Sequence, residues 1–240
     1  LRWIHPLRGS VPLSEVIPLA EATGLIFPIG EWVIKTACQQ AHLWREEDPD
    51  WPAVSVNLSQ QEFTRSDLGD VIRSALEDAG LPPEKLELEL TEGMLMRNRQ
   101  AEAILKELDD IGVGIVLDDF GQGHSSIAHL TSLPIKAIKI DRSFIDGVRE
   151  PGTKQSICAA MIAMSRELQI TVIAEGVENQ LQLEFLKERG CDAVQGFLYT
   201  EPLPAADVPK FLVACHEVAD ETKVIDLDTV RHQISTKTAS

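Results

Sequence analysis

Short apolar runs alternate along the chain with longer amphipathic segments, which is typical of a parallel sheet with crossover helices. The predicted strands cover residues 53–58, 86–90, 114–118, 137–140, 171–174 and 193–198. The predicted helices cover residues 31–45, 67–79, 99–111, 154–168 and 181–188. Gly80, Gly112 and Gly190 follow three of these helices, where a left-handed residue commonly ends a helix.

Two architectures accommodate this order of elements: a closed eight-stranded barrel and an open doubly wound sheet. In an open sheet the ligand groups gather near one switch point, whereas a barrel draws them from many strand ends, as the polar residues here require. We therefore predict an α/β fold, a TIM-like (β/α)8 barrel spanning residues 1–218, with a polar extension or tail at 219–240. Only six strands are evident, so we expect the opening strand or strands to be missing from this chain.

Acidic residues stand where the apolar runs end, and this recurrence is the main indication of chemistry. They are Glu89, Asp118, Asp119, Asp141 and Glu175. Carboxylates gathered on one face repel each other unless cations or protons neutralise them, so the pattern predicts a polyvalent metal site. Strand alternation adds Asn57 to the same inward face and places Lys139 on the side of Asp141.

Each of these residues also has a structural interpretation. An acidic residue after a strand is often a helix N-cap, Lys139 and Asp141 could form a structural ion pair, and Asn57 could form an Asx turn. Glu87 lies deeper than Glu89 and is expected to serve packing or hydrogen bonding. Only the coincidence across several strands favours a functional site.

Composition limits the partners and the location. A formal net charge of -16 argues against adsorption to duplex nucleic acid, which depends on clustered Lys and Arg. No apolar stretch reaches the length that crosses a bilayer. The four cysteines are widely spaced and follow no secretory leader, so we predict reduced, mostly buried thiols in a cytoplasmic domain. Upstream segments could still tether the full-length protein to a membrane.

Several strings carry a family resemblance: LRWIHP, SVNLS, LELELTEG, VLDDFGQGHSSIAHLTSLPIKAIKIDRSFI, VIAEGVE and QGFLYTEPLP. In this order, from residue 1 to about residue 204, they resemble the EAL-type cyclic di-GMP phosphodiesterases. The resemblance implies a barrel with a divalent two-metal site that hydrolyses one phosphodiester of cyclic di-GMP to linear pGpG. It also implies a bacterial signalling protein, a homodimer, and sensory or diguanylate cyclase domains upstream.

The resemblance also implies roles for individual residues. Asn57, Glu89 and Asp118 would hold a first metal, while Asp118, Asp119 and Glu175 would hold a second. Lys139 and Asp141 would position and polarise the attacking water, with Glu175 also in the catalytic set. Arg2 and Gln195 would bind substrate, and Glu92 would order the loop from Asp119 to Ser126, which couples to dimer contacts. Oxygen ligands favour two Mg²⁺ or Mn²⁺ ions, and Ca²⁺ is expected to inhibit.

Three departures from the family pattern qualify this interpretation. The chain begins at Leu1, so it lacks the Glu-Ala-Leu string with its metal-binding glutamate, and the chain by itself is expected to be impaired. Glu201 stands where a basic residue is common, and Gln122 and His124 vary the loop. The alternative to an enzyme is a catalytically silent module that binds cyclic di-GMP or a protein partner.

Overall fold

In the computed structural model of the protein, residues 1–98, 100–122, 131–149 and 152–222 are described. The strands in these ranges are β1 (Trp3–His5), β2 (Gly9–Val11), β3 (Val54–Asn57), β4 (Leu86–Thr91), β5 (Gly114–Phe120), β6 (Ala137–Ile140), β7 (Thr171–Glu175) and β8 (Ala193–Gln195). The α-helices are α1 (Leu13–Thr23), α2 (Ile26–Glu47), α3 (Gln60–Phe63), α4 (Leu68–Ala79), α5 (Glu92–Arg97), α6 (Ala101–Ile111), α7 (Arg142–Ile145), α8 (Thr153–Glu167), α9 (Gln180–Arg189) and α10 (Val208–Thr222). All six predicted strands and all five predicted helices are confirmed.

The backbone divides into two compact units, Leu1–Lys139 with Ser165–Thr171, and Ile140–Met164 with Val172–Ser240. In the first unit β3, β4, β5 and β6 are neighbours in that order. The β3–β4 and β4–β5 pairs are parallel, and the Lys136 N–H donates to the Ile115 carbonyl at 2.9 Å between β5 and β6. A short antiparallel pair, β1 and β2, belongs to the same unit.

The leucines of β4 face the hydrophobic core, as the alternation of LELELTE predicts. Leu86, Leu88 and Leu90 are fully buried, as are Phe63 and Ile72, which belong to the same unit. Burying a leucine side chain contributes about 1.5–3 kcal/mol. This burial fixes which face of β4 is left for Glu87 and Glu89.

Helix ends follow the predicted chemistry at three positions. Gly80, Gly112 and Gly190 have φ values of 64°, 97° and 75°, and they end α4, α6 and α9 in the left-handed conformation. Helix α2, in contrast, begins at Ile26, upstream of the predicted residue 31. Pro28 lies in its first turn, where no backbone donor is needed, so the proline does not delay the helix.

In the second unit β7 pairs with β8 in parallel, with Glu175 opposite Gln195. Strand β8 ends at Gln195, before the predicted end at residue 198. A side chain at Gly196 would lie 2.1 Å from the Val177 carbonyl oxygen, and the Tyr199 N–H donates to the Gly196 carbonyl at 3.2 Å. This close approach and the turn that follows end the strand.

Helix α10 continues to Thr222, past the proposed boundary between residues 218 and 219, and residues 223–240 lie outside the described ranges. The boundary therefore stays a prediction. Within the described ranges no helix is long and apolar enough to span a membrane.

The four cysteines are free thiols, and we predict that they react slowly in the folded protein. Cys38 and Cys158 are buried, and burial raises their pKa values to about 11 and about 12. Burial likewise raises the pKa of the half-buried Cys191 to about 11. At pH 8 these thiols are therefore protonated, and only the thiolate is nucleophilic.

Iodoacetamide at pH 8 should modify the native protein at a small fraction of the rate measured in denaturant. The native rate should rise with pH toward about 11 at Cys191, because its thiolate population increases. Mass spectrometry of the alkylated chain gives both rates. Rapid modification of Cys38 or Cys158 at neutral pH would contradict the prediction.

Candidate functional site

Two carboxylates and one ammonium meet in the first unit at the carboxyl ends of its strands. Nζ of Lys139 lies 3.0 Å from Oε2 of Glu89 and 3.8 Å from Oδ1 of Asp118. The side chains of Lys139, Glu89 and Asp118 are 6%, 9% and 16% exposed. Buried charges persist only where opposite charges compensate them. We call these three residues the Glu89 cluster.

Strand register explains why this cluster forms. Glu89 lies opposite Val116, and Asp118 lies two residues further along β5 on the same face. Lys139 belongs to β6, on the other side of β5, so its long side chain reaches across that strand to Glu89. Asn57 lies opposite Glu89 in the register of β3 and β4, which places it on the same face as well.

The donor chemistry of this face fits a hard divalent cation. Glu89 and Asp118 carry two negative charges against one ammonium, and Asn57 adds a neutral amide oxygen in register. Carboxylate and amide oxygens are the ligands that Mg²⁺, Mn²⁺ and Ca²⁺ prefer. Among the residues that the structure describes, no three His, Cys, Asp or Glu side chains converge as a metal-binding group. In this arrangement the Lys139 ammonium compensates one of the two negative charges and leaves the other for a cation.

Asn57 does not form the Asx turn that was the structural interpretation of this residue. Such a turn would use the backbone N–H of Ser59, two residues further on. That N–H donates instead to Oε2 of Glu62 at 2.9 Å, within the capping box of α3. The Asn57 residue itself is exposed, so its amide oxygen is available on the face that carries Glu89.

The turn after β5 is held by a hydrogen bond to Glu92, the first residue of α5. Oε2 of the buried Glu92 accepts the Gly121 N–H at 3.2 Å, and Oδ1 of Asp118 accepts the Asp119 N–H at 2.9 Å. Asp119 has a φ of 54°, a left-handed conformation that residues other than glycine rarely adopt. Such local strain is concentrated at functional sites. The rest of the loop to Ser126, from Gly123 onward, lies outside the described ranges.

Glu87 has the hydrogen-bonding role expected of it. Its Oε2 accepts a hydrogen bond from Oγ of Ser55 at 2.9 Å, and its Oε1 lies 2.8 Å from Nζ of Lys136. Ser55 and Glu87 are opposite each other in the register of β3 and β4. Glu87 therefore pairs with Lys136, whereas Glu89 and Asp118, nearer the carboxyl ends of their strands, pair with Lys139.

In the second unit the candidate residues are Asp141, Glu175 and Gln195. Oδ1 of Asp141 accepts the Ser143 N–H at 2.9 Å, so Asp141 is the N-cap of α7, as the structural interpretation proposed. Glu175 and Gln195 lie opposite each other in register and line a cavity of about 190 Å³.

Arg2 lies in the first unit, on an exposed segment just before β1. It lines an apolar cavity of about 390 Å³ together with Trp3, Leu25 and Trp32. A guanidinium at the edge of a cavity suits contact with a phosphate, since arginine binds phosphate oxygens with two parallel hydrogen bonds. Its contact with substrate stays a prediction.

Comparison with known proteins identifies the family. The sequence matches the EAL domain family over residues 1–202. The chain belongs to the EAL domain family. Signaling protein YkoW of Bacillus subtilis (strain 168) is 42% identical over 214 residues, which are 89% of this chain and 27% of YkoW. The bifunctional diguanylate cyclase/cyclic di-GMP phosphodiesterase MucR of Pseudomonas aeruginosa is 44% identical over 207 residues, which are 85% of this chain and 30% of MucR.

A solved structure supports the fold of this EAL domain. The PaMucR phosphodiesterase in complex with c-di-GMP is 43% identical and has a TM-score of 0.83, covering 86% of this chain and 84% of the other. The predicted α/β barrel class is thereby confirmed. The chain spans less than a third of the length of the two curated relatives above.

Two charged residues near the candidate site were not predicted from the sequence. Arg142 and Glu178 form an ion pair of 2.8 Å and line the same cavity as Glu175 and Gln195. Their separation along the chain gives no periodic signal. Only their places, directly after Asp141 and three residues after Glu175, could have drawn attention to them.

Proposed function

We propose that this EAL domain is a cyclic di-GMP phosphodiesterase, which hydrolyses one phosphodiester bond of its substrate to give linear pGpG. A water oxygen forms the new bond to phosphorus, and the bond from phosphorus to the ribose oxygen breaks. Support comes from the family, from the relative named as a cyclic di-GMP phosphodiesterase, and from the solved c-di-GMP complex. The observation that carries the proposal is the buried Glu89 cluster at the carboxyl ends of β4, β5 and β6.

The proposed cofactors are two Mg²⁺ or Mn²⁺ ions. Asn57, Glu89 and Asp118 would hold the first, and Asp118, Asp119 and Glu175 would hold the second. Bound divalent cations would supply Lewis-acid stabilisation of the phosphate oxygens and make water nucleophilic at neutral pH. Ca²⁺ prefers the same oxygen ligands in a looser geometry, so we expect it to bind and inhibit.

The remaining residues would orient the reactants. Lys139 carries a positive charge into a buried site, where it can polarise the attacking water or stabilise a phosphate oxygen. Asp141 would help Lys139 to position and polarise that water. Arg2 and Gln195 would hold the substrate phosphates and the far side of the ligand. Glu92 would order the turn after β5, next to Asp119.

The proposed setting is bacterial second-messenger signalling in the cytoplasm. Homologues of this chain are much longer, and MucR is named as carrying diguanylate cyclase activity as well. We therefore propose sensory or diguanylate cyclase domains in the full-length protein and a homodimer of EAL domains. The dimer is proposed from the family resemblance and would use the segment after Gly123, whose residues 123–130 lie outside the described ranges.

Cyclic di-GMP should be converted to pGpG in the presence of Mn²⁺ or Mg²⁺ but not of Ca²⁺ or EDTA. The measurement is chromatography of the nucleotides, made on this chain and on the full-length natural protein. Binding of cyclic di-GMP without turnover in the full-length protein would favour the silent binding module instead.

A further inference from the structure

A salt bridge holds the turn that follows β7, and it lines the same cavity as Glu175. One terminal guanidinium nitrogen of Arg142 lies 2.8 Å from Oε1 of Glu178. Nε of Arg142 donates to Oδ2 of Asp146 at 3.4 Å. The cavity of about 190 Å³ is lined by Arg142 and Glu178 as well as by Glu175 and Gln195. The ion pair is therefore part of the wall next to two candidate site residues.

The aliphatic part of Arg142 lies directly on the backbone of this turn. Gly176, the residue after Glu175, has a φ of 69°. A Cβ at Gly176 would lie 2.5 Å from Cγ and 2.8 Å from Cβ of Arg142. Any side chain at this position would displace the arginine. The position of Arg142 and the conformation of the Gly176 backbone are thus coupled.

Further hydrogen bonds tie the turn to its surroundings in the second unit. The Glu178 N–H donates to Oε1 of the buried Gln182 at 2.8 Å, and Nε2 of Gln182 donates to the Ile145 carbonyl of α7 at 3.3 Å. The Val177 N–H donates to the Gln195 carbonyl at 3.0 Å. The turn that follows Glu175 is therefore held by hydrogen bonds that involve α7, α9 and β8.

We propose that Arg142 and Glu178 are a positioning pair that holds Glu175 in the orientation needed for the cation. The link to Glu175 as a metal ligand rests on the proposed function. The Arg142 and Glu178 side chains are 52% and 33% exposed, and an ion pair this accessible contributes little to global stability. Mutation of a residue that orients a metal ligand, in contrast, commonly lowers metal affinity or activity by about 10- to 100-fold.

Amide hydrogen exchange, measured without metal or ligand, tests directly whether the positioning pair holds the turn after β7. In Arg142→Met the N–H groups of Val177 and Glu178 should exchange at least about tenfold faster than in the wild type, because opening of the turn becomes more frequent. Arg73→Met is the matched control. Arg73 also holds two carboxylates, Asp70 at 2.9 Å and Glu107 at 3.1 Å, with a side chain 43% exposed. This control should leave the exchange of Val177 and Glu178 unchanged.

Turnover of cyclic di-GMP by the full-length protein tests the effect on the site. Arg142→Met should raise the Mn²⁺ concentration at half-maximal rate by about tenfold, while saturating Mn²⁺ restores most of kcat. Arg142→Lys should recover part of the loss, since lysine keeps the charge but not the second hydrogen bond. Arg142→Met with Glu178→Gln should be no worse than Arg142→Met alone, because the two residues act together.

Each result decides between the two proposals. Unchanged exchange at Val177 and Glu178 in Arg142→Met would show that the positioning pair does not hold the turn after β7. Faster exchange with an unchanged Mn²⁺ requirement in an active enzyme would overturn its role in positioning Glu175. A wild-type protein without turnover would contradict the proposed function. The exchange rates would still decide whether the positioning pair holds the turn after β7.

Discussion

Asparagine in place of Asp118 should lower metal-dependent turnover of cyclic di-GMP by about a thousandfold, or about 4 kcal/mol in the activation barrier. Asp118 is proposed to bridge both cations, and the amide that replaces it carries no negative charge. The substitution is conservative in structure, because Oδ1 of asparagine can still accept the Asp119 N–H that Asp118 accepts at 2.9 Å. The measurement is kcat at saturating Mn²⁺ in the full-length protein, together with Mn²⁺ binding by calorimetry.

The matched control is Asp70→Asn, which removes an equal charge from the surface of the same unit, where Asp70 is 82% exposed. This control should leave both turnover and Mn²⁺ binding unchanged. The free energy of unfolding of Asp118→Asn in EDTA should stay within about 1 kcal/mol of the wild type, since Glu89 keeps its bond to Lys139. Turnover of Asp118→Asn at the wild-type rate would refute a bridging role for Asp118.

The strands and the face of each strand could be predicted because both depend on local pattern. In LELELTE three fully buried leucines alternate with acidic residues, and burial of the leucines decides the orientation of Glu89. Glycine at the helix ends is similarly local, because few other residues adopt the left-handed conformation. These features need no knowledge of which segments meet in space.

The pairs that complete the site could not be predicted, because they depend on register and reach between distant segments. Lys139 and Glu89 are fifty residues apart, and Lys139 contacts Glu89 across an intervening strand. The sequence suggested Asp141 as the partner of Lys139 from their spacing of two. That pairing stays a prediction, whereas the N-cap bond of Asp141 and the ion pair of Lys139 with Glu89 are present.

Lys139 forms the buried ion pair with Glu89, and we also propose it as a catalytic residue; the sequence could not separate these two roles. Lys139→Met should destabilise the domain in EDTA by about 3–5 kcal/mol, because it leaves the carboxylate of Glu89 buried without its counter-ion. Adding Mn²⁺ should recover much of this loss, since a cation bound near Glu89 and Asp118 would again compensate their charges. Urea unfolding followed by circular dichroism, in EDTA and in Mn²⁺, measures both quantities.

Lys136→Met is the matched control for Lys139→Met. Lys136 also pairs with a glutamate of β4, at 2.8 Å from Glu87, but its side chain is 50% exposed, so its loss should cost no more than about 1 kcal/mol. Glu89→Gln combined with Lys139→Met should be more stable in EDTA than Lys139→Met alone, because the buried charge of Glu89 is removed together with its counter-ion. Equal stability of Lys139→Met and wild type in EDTA would contradict the neutralising role. A loss that Mn²⁺ does not reverse would argue that the cation binds away from Glu89, and the ligand set proposed for the first metal would then be wrong.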